Sequence, residues 1–125
     1  MRFPGLVFLL LLAACGSEDP PVPLTQVEAF MRDAEALDRG QALFLGSCAN
    51  FCHGLLPEEA VENDAAFLFD CHWNYGDSDE EIFNTVTNGI PNTRMVGFGS
   101  NFPEGDDDLW KIIAYIRSNQ DPCTE

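Results

Sequence analysis

Apolar residues along the chain recur at intervals of three and four, the spacing of one helix face, and no stretch alternates with the period of two that marks a half-buried strand. Leu37, Gly40, Phe44 and Cys48 fall along one such face, and Asp38 with Gln41 three residues on predicts a helix start there. A glycine four residues before an aromatic leaves a socket that a second helix can approach closely. The segment DDDLWKIIAYIRS supplies the partner: Leu109, Ile112, Ile113 and Ile116 form its buried stripe, while Asp106 to Asp108 at its start and Arg117 near its end match the helix dipole. Between the two, Ser78 and Glu81 make a capping box for a helix holding Ile82, Phe83 and Val86, stopped by Gly89 and Pro91. Val27, Phe30, Met31 and Ala34 predict a short amphipathic helix that either precedes the domain or runs into it. The expectation is an all-α fold.

The first residues carry a different pattern. Arg2 is a short positive region, Leu6 to Leu12 an apolar run too short to span a bilayer, and Leu12, Ala13, Ala14, Cys15 a small-residue cleavage site. This resembles a bacterial lipoprotein signal. The resemblance implies cleavage before Cys15, lipidation of that thiol and a mature chain anchored on the periplasmic side of the inner or the outer membrane. The proline-rich stretch Gly16 to Thr25 reads as a tether. The expected organisation is a signal peptide over 1–14, a lipidated cysteine, tether and short helix over 15–37, and one domain over 38–125. With the signal removed about 110 residues remain, enough for one small domain but poor in apolar interior.

Within GSCANFCHG, Cys48 and Cys52 are followed directly by His53, the residue set that covalent haem attachment requires. Three residues, Ala49, Asn50 and Phe51, separate the cysteines where the usual spacing is two. On a helix of 3.6 residues per turn, side chains three or four apart share a face, so either spacing presents both thiols to one haem edge. His53 follows where its imidazole can bind iron. A disulfide or half of a zinc site is the alternative reading of the cluster. With Cys15 assigned to lipid and this pair to haem, Cys71 and Cys123 remain, and in an oxidising compartment such a pair is most simply a disulfide. Closing a loop of roughly fifty residues would stabilise the fold by about 4 kcal/mol in the chain-entropy model, less where a cofactor already restrains the unfolded chain. The other reading makes Cys71, beside His72, a reactive thiol.

In order and spacing, GQALFLGSCANFCHG, NGIPNTRMVGFG and KIIAYIRS resemble the class I c-type cytochromes, over Asp38 to Ser118. The resemblance implies a small cytochrome c-like domain with its N- and C-terminal helices packed together around one covalently attached haem c, Gly40 and Phe44 meeting Ile112 and Tyr115. It implies Cys48 and Cys52 as the attachment cysteines, and His53 and Met95 as the axial ligands of the iron. A thioether serves ferric and ferrous iron alike, and Gly97 and Gly99 let the loop turn closely around the ring; a methionine filling a core gap is the other reading of Met95. After His53 the family commonly has a proline whose carbonyl orients the imidazole, and here only the early Pro57 is present, so the partner of the His53 ring has no name in the sequence. His72 is a second candidate axial ligand, and Trp73, Tyr75 and Arg94 are candidates to bind the haem propionates.

Six basic residues against 21 acidic ones give a net charge of −15, which excludes nucleic acid as a partner. The acidic clusters Glu58 to Asp64, Asp77 to Glu81 and Glu104 to Asp108 read as solvated loops and helix starts, or as a field that steers a basic redox partner. The expected function is that of a periplasm-facing, lipid-anchored carrier of single electrons between redox proteins, for example a periplasmic dehydrogenase and a terminal oxidase, with no catalysed reaction of its own. LFDCHW followed by TRMVGFG resembles the cytochrome subunits that accompany periplasmic alcohol or sugar dehydrogenases. A haem peroxidase or gas sensor is the other function class, and what separates the two is whether Met95 is labile on the iron.

Overall fold

The computed structural model describes Met1 and residues 23–123, so the signal segment, Cys15 and most of the tether lie outside the described residues. The described chain folds as α1 (Gln26–Phe30), α2 (Ala34–Phe44), a π-helical segment (Leu45–His53), α3 (Pro57–Glu62), α4 (Asp79–Asn88) and α5 (Asp106–Asn119). Among the described residues there is no strand beyond one isolated bridge between Gly89 and Val96, and no helix is long and apolar enough to cross a membrane.

Helices α2 and α5 cross at Gly40. A Cβ there would collide with the carbonyl of Lys111 and lie 3.2 Å from Tyr115 Cβ, so only a bare backbone lets the helices touch. One turn later Phe44 is fully buried, its ring 5.5 Å from that of Tyr115 and 5.3 Å from that of Phe69. Leu109, Ile112, Ile113 and Ile116, the stripe expected on α5, share one core with Val27 of α1 and Ile82 of α4. Each such burial contributes roughly 1.5–3 kcal/mol, and α5 is accordingly the element around which the others pack.

Helix α4 begins at the expected box, Ser78 Oγ accepting from the Glu81 N–H at 3.3 Å and the Glu81 carboxylate accepting from the Ser78 N–H at 3.1 Å. The start of α2 differs from expectation. Asp33 caps it, accepting from the N–H groups of Glu35 and Ala36 at 2.9 and 3.3 Å, and Asp38 lies exposed in mid-helix. A side-chain cap needs unbonded N–H groups, and those following Asp38 are already used by the helix that Asp33 started. Helix α2 therefore runs across the boundary expected between Leu37 and Asp38. Thr25 and Glu28 cap α1 as a separate short helix, which buries Val27 against α5.

The acidic run opening α5 is not all solvated. Asp108 is fully buried, its two oxygens each 2.9 Å from Arg39 Nε and Nη2 of α2, and it also accepts from the Glu104 N–H at 2.9 Å. The Arg39 guanidinium holds the Asp108 carboxyl below the usual carboxylate range, against the opposing effect of burial, and the Glu104 N–H helps. Because the folded pKa is depressed, the unfolded chain binds this proton more readily; the contribution is complete above the ordinary carboxylate pKa of about 3.9 and is lost as pH falls through the folded value. Asp108→Asn is expected to lower unfolding free energy at neutral pH by about 1–3 kcal/mol. In urea titrations from neutral to strongly acid pH, the gap between variant and native protein should close on the acid side; a gap independent of pH would assign the loss to packing.

Candidate functional site

The segment Leu45–His53 continues α2 with a wider winding: the Gly54 N–H bonds to the Ala49 carbonyl five residues back at 3.0 Å, the π pattern. The α-helical argument for the shared cysteine face is amended accordingly. The extra residue between Cys48 and Cys52 is taken up as a wider turn, and both side chains reach one cavity.

That cavity has a volume of about 780 Å³, inside the roughly 300–1,000 Å³ typical of cofactor sites. Cys48, Cys52 and His53 line it from the π segment, Met95 from the loop after α4, and Ile112, Ile113 and Ile116 of α5 give it an apolar wall. Cys48 and Cys52 are both free thiols, not joined to each other. Burial, with a smaller effect from neighbouring Cys52, pushes the Cys48 thiol up to about 12, so it stays neutral. Among the described residues no three His, Cys, Asp or Glu side chains gather into a metal cluster.

The His53 ring has the partner that the sequence could not name. Its Nδ1 lies 2.7 Å from the Ala66 carbonyl. A carbonyl only accepts, so Nδ1 carries the proton and Nε2 keeps a lone pair for a metal. Pro57 does something else: it opens α3, where the Glu59 carboxylate accepts from the N–H groups of Leu55 and Leu56 at 2.6 and 3.2 Å.

Met95 is held by its backbone. Ile90 N–H donates to the Met95 carbonyl at 2.9 Å, the Met95 N–H donates to Thr93 Oγ1 at 3.1 Å, and Phe98 and Gly99 N–H groups donate to Val86 and Thr87 of α4 at 2.9 and 3.0 Å. A Cβ on Gly97 would stand 2.7 Å from the Thr87 carbonyl, so this glycine serves close approach to the end of α4.

Cys71 and Cys123 are joined in a disulfide with Cα atoms 5.5 Å apart, which ties the loop before α4 to the chain after α5. His72 lines the cavity but its side chain is 89% exposed, with Nδ1 3.7 Å from Asp70; Tyr75 and Arg94, also exposed, share the lining. Trp73 is different. Its Nε1 is buried without a hydrogen-bond partner among the described residues, on a ring that lines the cavity. An indole N–H can only donate, and this one is buried away from the cavity as well as from protein acceptors. Two free thiols, an imidazole with an open Nε2 and a thioether around one largely apolar cavity together fit a haem.

A fold and site of this kind define the c-type cytochromes. The chain belongs to the family described as Cytochrome C oxidase, cbb3-type, subunit III, which matches residues 35–116, and its cofactor is one covalently bound haem c. Among solved structures it is similar to cytochrome cL from Hyphomicrobium denitrificans, with 32% identity and a TM-score of 0.62 over 77% of this chain and 54% of that one. The chain thus spans about half the length of that relative. Cytochrome cL from the marine methylotrophic bacterium Methylophaga aminisulfidivorans shares the fold at 23% identity and a TM-score of 0.62, over 86% of this chain and 72% of that one. Comparison with curated proteins gives no match.

Proposed function

We propose that the protein is a lipid-anchored, periplasm-facing carrier of single electrons, in which Cys48 and Cys52 hold the haem through thioethers and His53 and Met95 are its axial ligands. The observation that carries this reading is the Met95 loop, whose backbone is bonded to Ile90 through Met95 itself and to α4 through Phe98 and Gly99, while the Met95 side chain lines the same cavity as His53. A gas sensor or peroxidase needs a sixth position that opens; a carrier gains from one that stays filled, because little then reorganises on electron transfer. When bound, the haem supplies a one-electron couple whose potential the His and Met pair sets relatively high. The chain supplies the rest. Ala66 fixes the His53 tautomer, the isoleucines of α5 exclude water, and the net charge of −15 draws in a partner with a basic docking face. A lipid on Cys15 and the tether behind it keep this encounter at the membrane, with a dehydrogenase on the donor side and, in keeping with the family's description, a terminal oxidase on the acceptor side.

Visible and near-infrared spectra of the purified mature protein test this. The expected result is a low-spin ferric spectrum with the weak far-red band of a methionine–iron bond and a ferrous spectrum indifferent to carbon monoxide. High-spin features or ready carbon monoxide binding would move the assignment to a sensor or peroxidase, and the absence of haem bands would overturn both.

A further inference from the structure

Asp64 is held in the left-handed region, with φ 53°, where residues that carry a Cβ rarely sit. It stands just past the end of α3, and the two bonds that define a Schellman turn meet around it: the Asp64 N–H donates to the Val61 carbonyl at 3.1 Å and the Ala65 N–H to the Ala60 carbonyl at 2.9 Å. Glycine is the usual residue at this position. The turn sends the chain back toward the attachment segment, and two residues beyond Asp64 the Ala66 carbonyl arrives 2.7 Å from Nδ1 of His53. The other end of α3 is fixed beside the same histidine. The Gly54 N–H is bonded to the Ala49 carbonyl, and the Glu59 carboxylate takes the N–H groups of Leu55 and Leu56. Helix α3 is six residues long and buries only Ala60, so its share in the core is small. Its two fixed ends are accounted for by the span between them, which sets where the acceptor for the His53 ring stands.

We propose that Asp64 is a positioning residue for the iron, acting through Ala66 and His53. A left-handed residue at this one point aims the Ala66 carbonyl at the imidazole. Donation from Nδ1–H to that carbonyl leaves more electron density on the ring, so Nε2 is a stronger donor to the metal and the ferric form is favoured. The turn therefore holds the reduction potential below the value that a loosely held histidine would give. A backbone carbonyl cannot be removed by substitution; residue 64 is where a side chain controls it. The Asp64 carboxylate also lines the cavity, and its charge favours the ferric form as well, so a test must separate charge from turn. The inference rests on the haem assignment above.

The experiment measures the reduction potential of the haem-loaded protein at neutral pH for the native chain, Asp64→Asn, Asp64→Gly and Asp64→Val. All three variants lose the same charge. Asparagine and glycine accept the left-handed region, whereas valine, branched at Cβ, resists it. The asparagine and glycine variants are expected to share one potential and the valine variant to lie above both. In proton spectra of the ferrous protein, the His53 Nδ1–H should exchange with solvent slowly in the native, asparagine and glycine forms and faster in the valine form. A valine variant with the potential of the other two would show that Asp64 acts by charge alone. A gap between asparagine and glycine as wide as that to valine, or a raised potential with exchange still slow, would show that the turn does not act through the histidine bond; each of these results overturns the proposal. Circular dichroism and the visible spectrum confirm that each variant is folded and loaded. If Asp64→Val does not fold, Asp64→Ala takes its place, since an unbranched Cβ still disfavours the left-handed region, and a smaller shift in the same direction is expected. Failure of the native protein to take up haem would instead sink the haem assignment, so the two failures are distinguishable.

Discussion

Gly40→Val is expected to cost the protein more than any surface substitution, about 3 kcal/mol and enough to leave a fraction of the chain unfolded at physiological temperature. Overpacking of a core commonly costs about 1–3 kcal/mol when side chains can shift to relieve it. At Gly40 the obstacle is the Lys111 carbonyl, a backbone group, so relief requires moving α2 or α5 as a whole. Against a total stability on the order of 5–15 kcal/mol this is a large share. The effect should reach the site, because Ile112, Ile113 and Ile116 stand on the displaced helix and line the cavity. Urea midpoints with visible spectra of the same samples provide the check, and Gly46→Ala the control: a Cβ at Gly46 meets nothing within 4 Å, and a small change of either sign, under about 1 kcal/mol, is expected there. Equal midpoints for the two variants would mean that the helices do not depend on close approach.

The second large effect belongs to Met95→Ala. The far-red band should vanish, the potential should fall, and the ferrous protein should go from refusing carbon monoxide to binding it stoichiometrically. The fold should survive. Met95 is only half-buried and its loop is held through backbone groups that alanine retains, so the stability loss should be smaller than the roughly 2–5 kcal/mol for a fully buried methionine. If band and potential persist, another group holds the iron, and His72, already on the cavity lining, becomes the residue to replace next.

The pattern of apolar positions was sufficient to read the packing of α5 on α2, and Ser78 with Glu81 to read the capping box of α4, because these depend on residue size, periodicity and cap chemistry; the contact of Gly40 and Phe44 with Tyr115 was implied by the resemblance to the c-type cytochromes. Other features were legible only after folding. Asp33 and Asp38 are equivalent as letters, and which one caps α2 is decided by which N–H groups are free. Helix α3 did carry a signal, proline at its first position and glutamate two residues on, but the segment is too short for periodicity to speak. The π winding of Leu45–His53 is a matter of backbone bonding that residue spacing did not call for, since side chains four apart share a face of an ordinary α-helix as well. The partner of His53 is a backbone carbonyl, and every residue has one; only the course of the chain between α3 and α4 selects Ala66. Asp108 was one of three adjacent aspartates in the sequence, set apart by a guanidinium that α2 brings across.

The bond between Cys71 and Cys123 turns the latter part of the protein into a covalent belt that includes α4, the Met95 loop and α5, while Cys48, Cys52 and His53 lie on the open strand outside it. Thermal melting can dissolve the helices of this belt but cannot let its ends diffuse apart. On the proposed ligation of the iron by Met95, a methionine that leaves the cavity is held through both arms of a closed loop where an unbridged chain would hold it through one, so it strays less far and returns sooner.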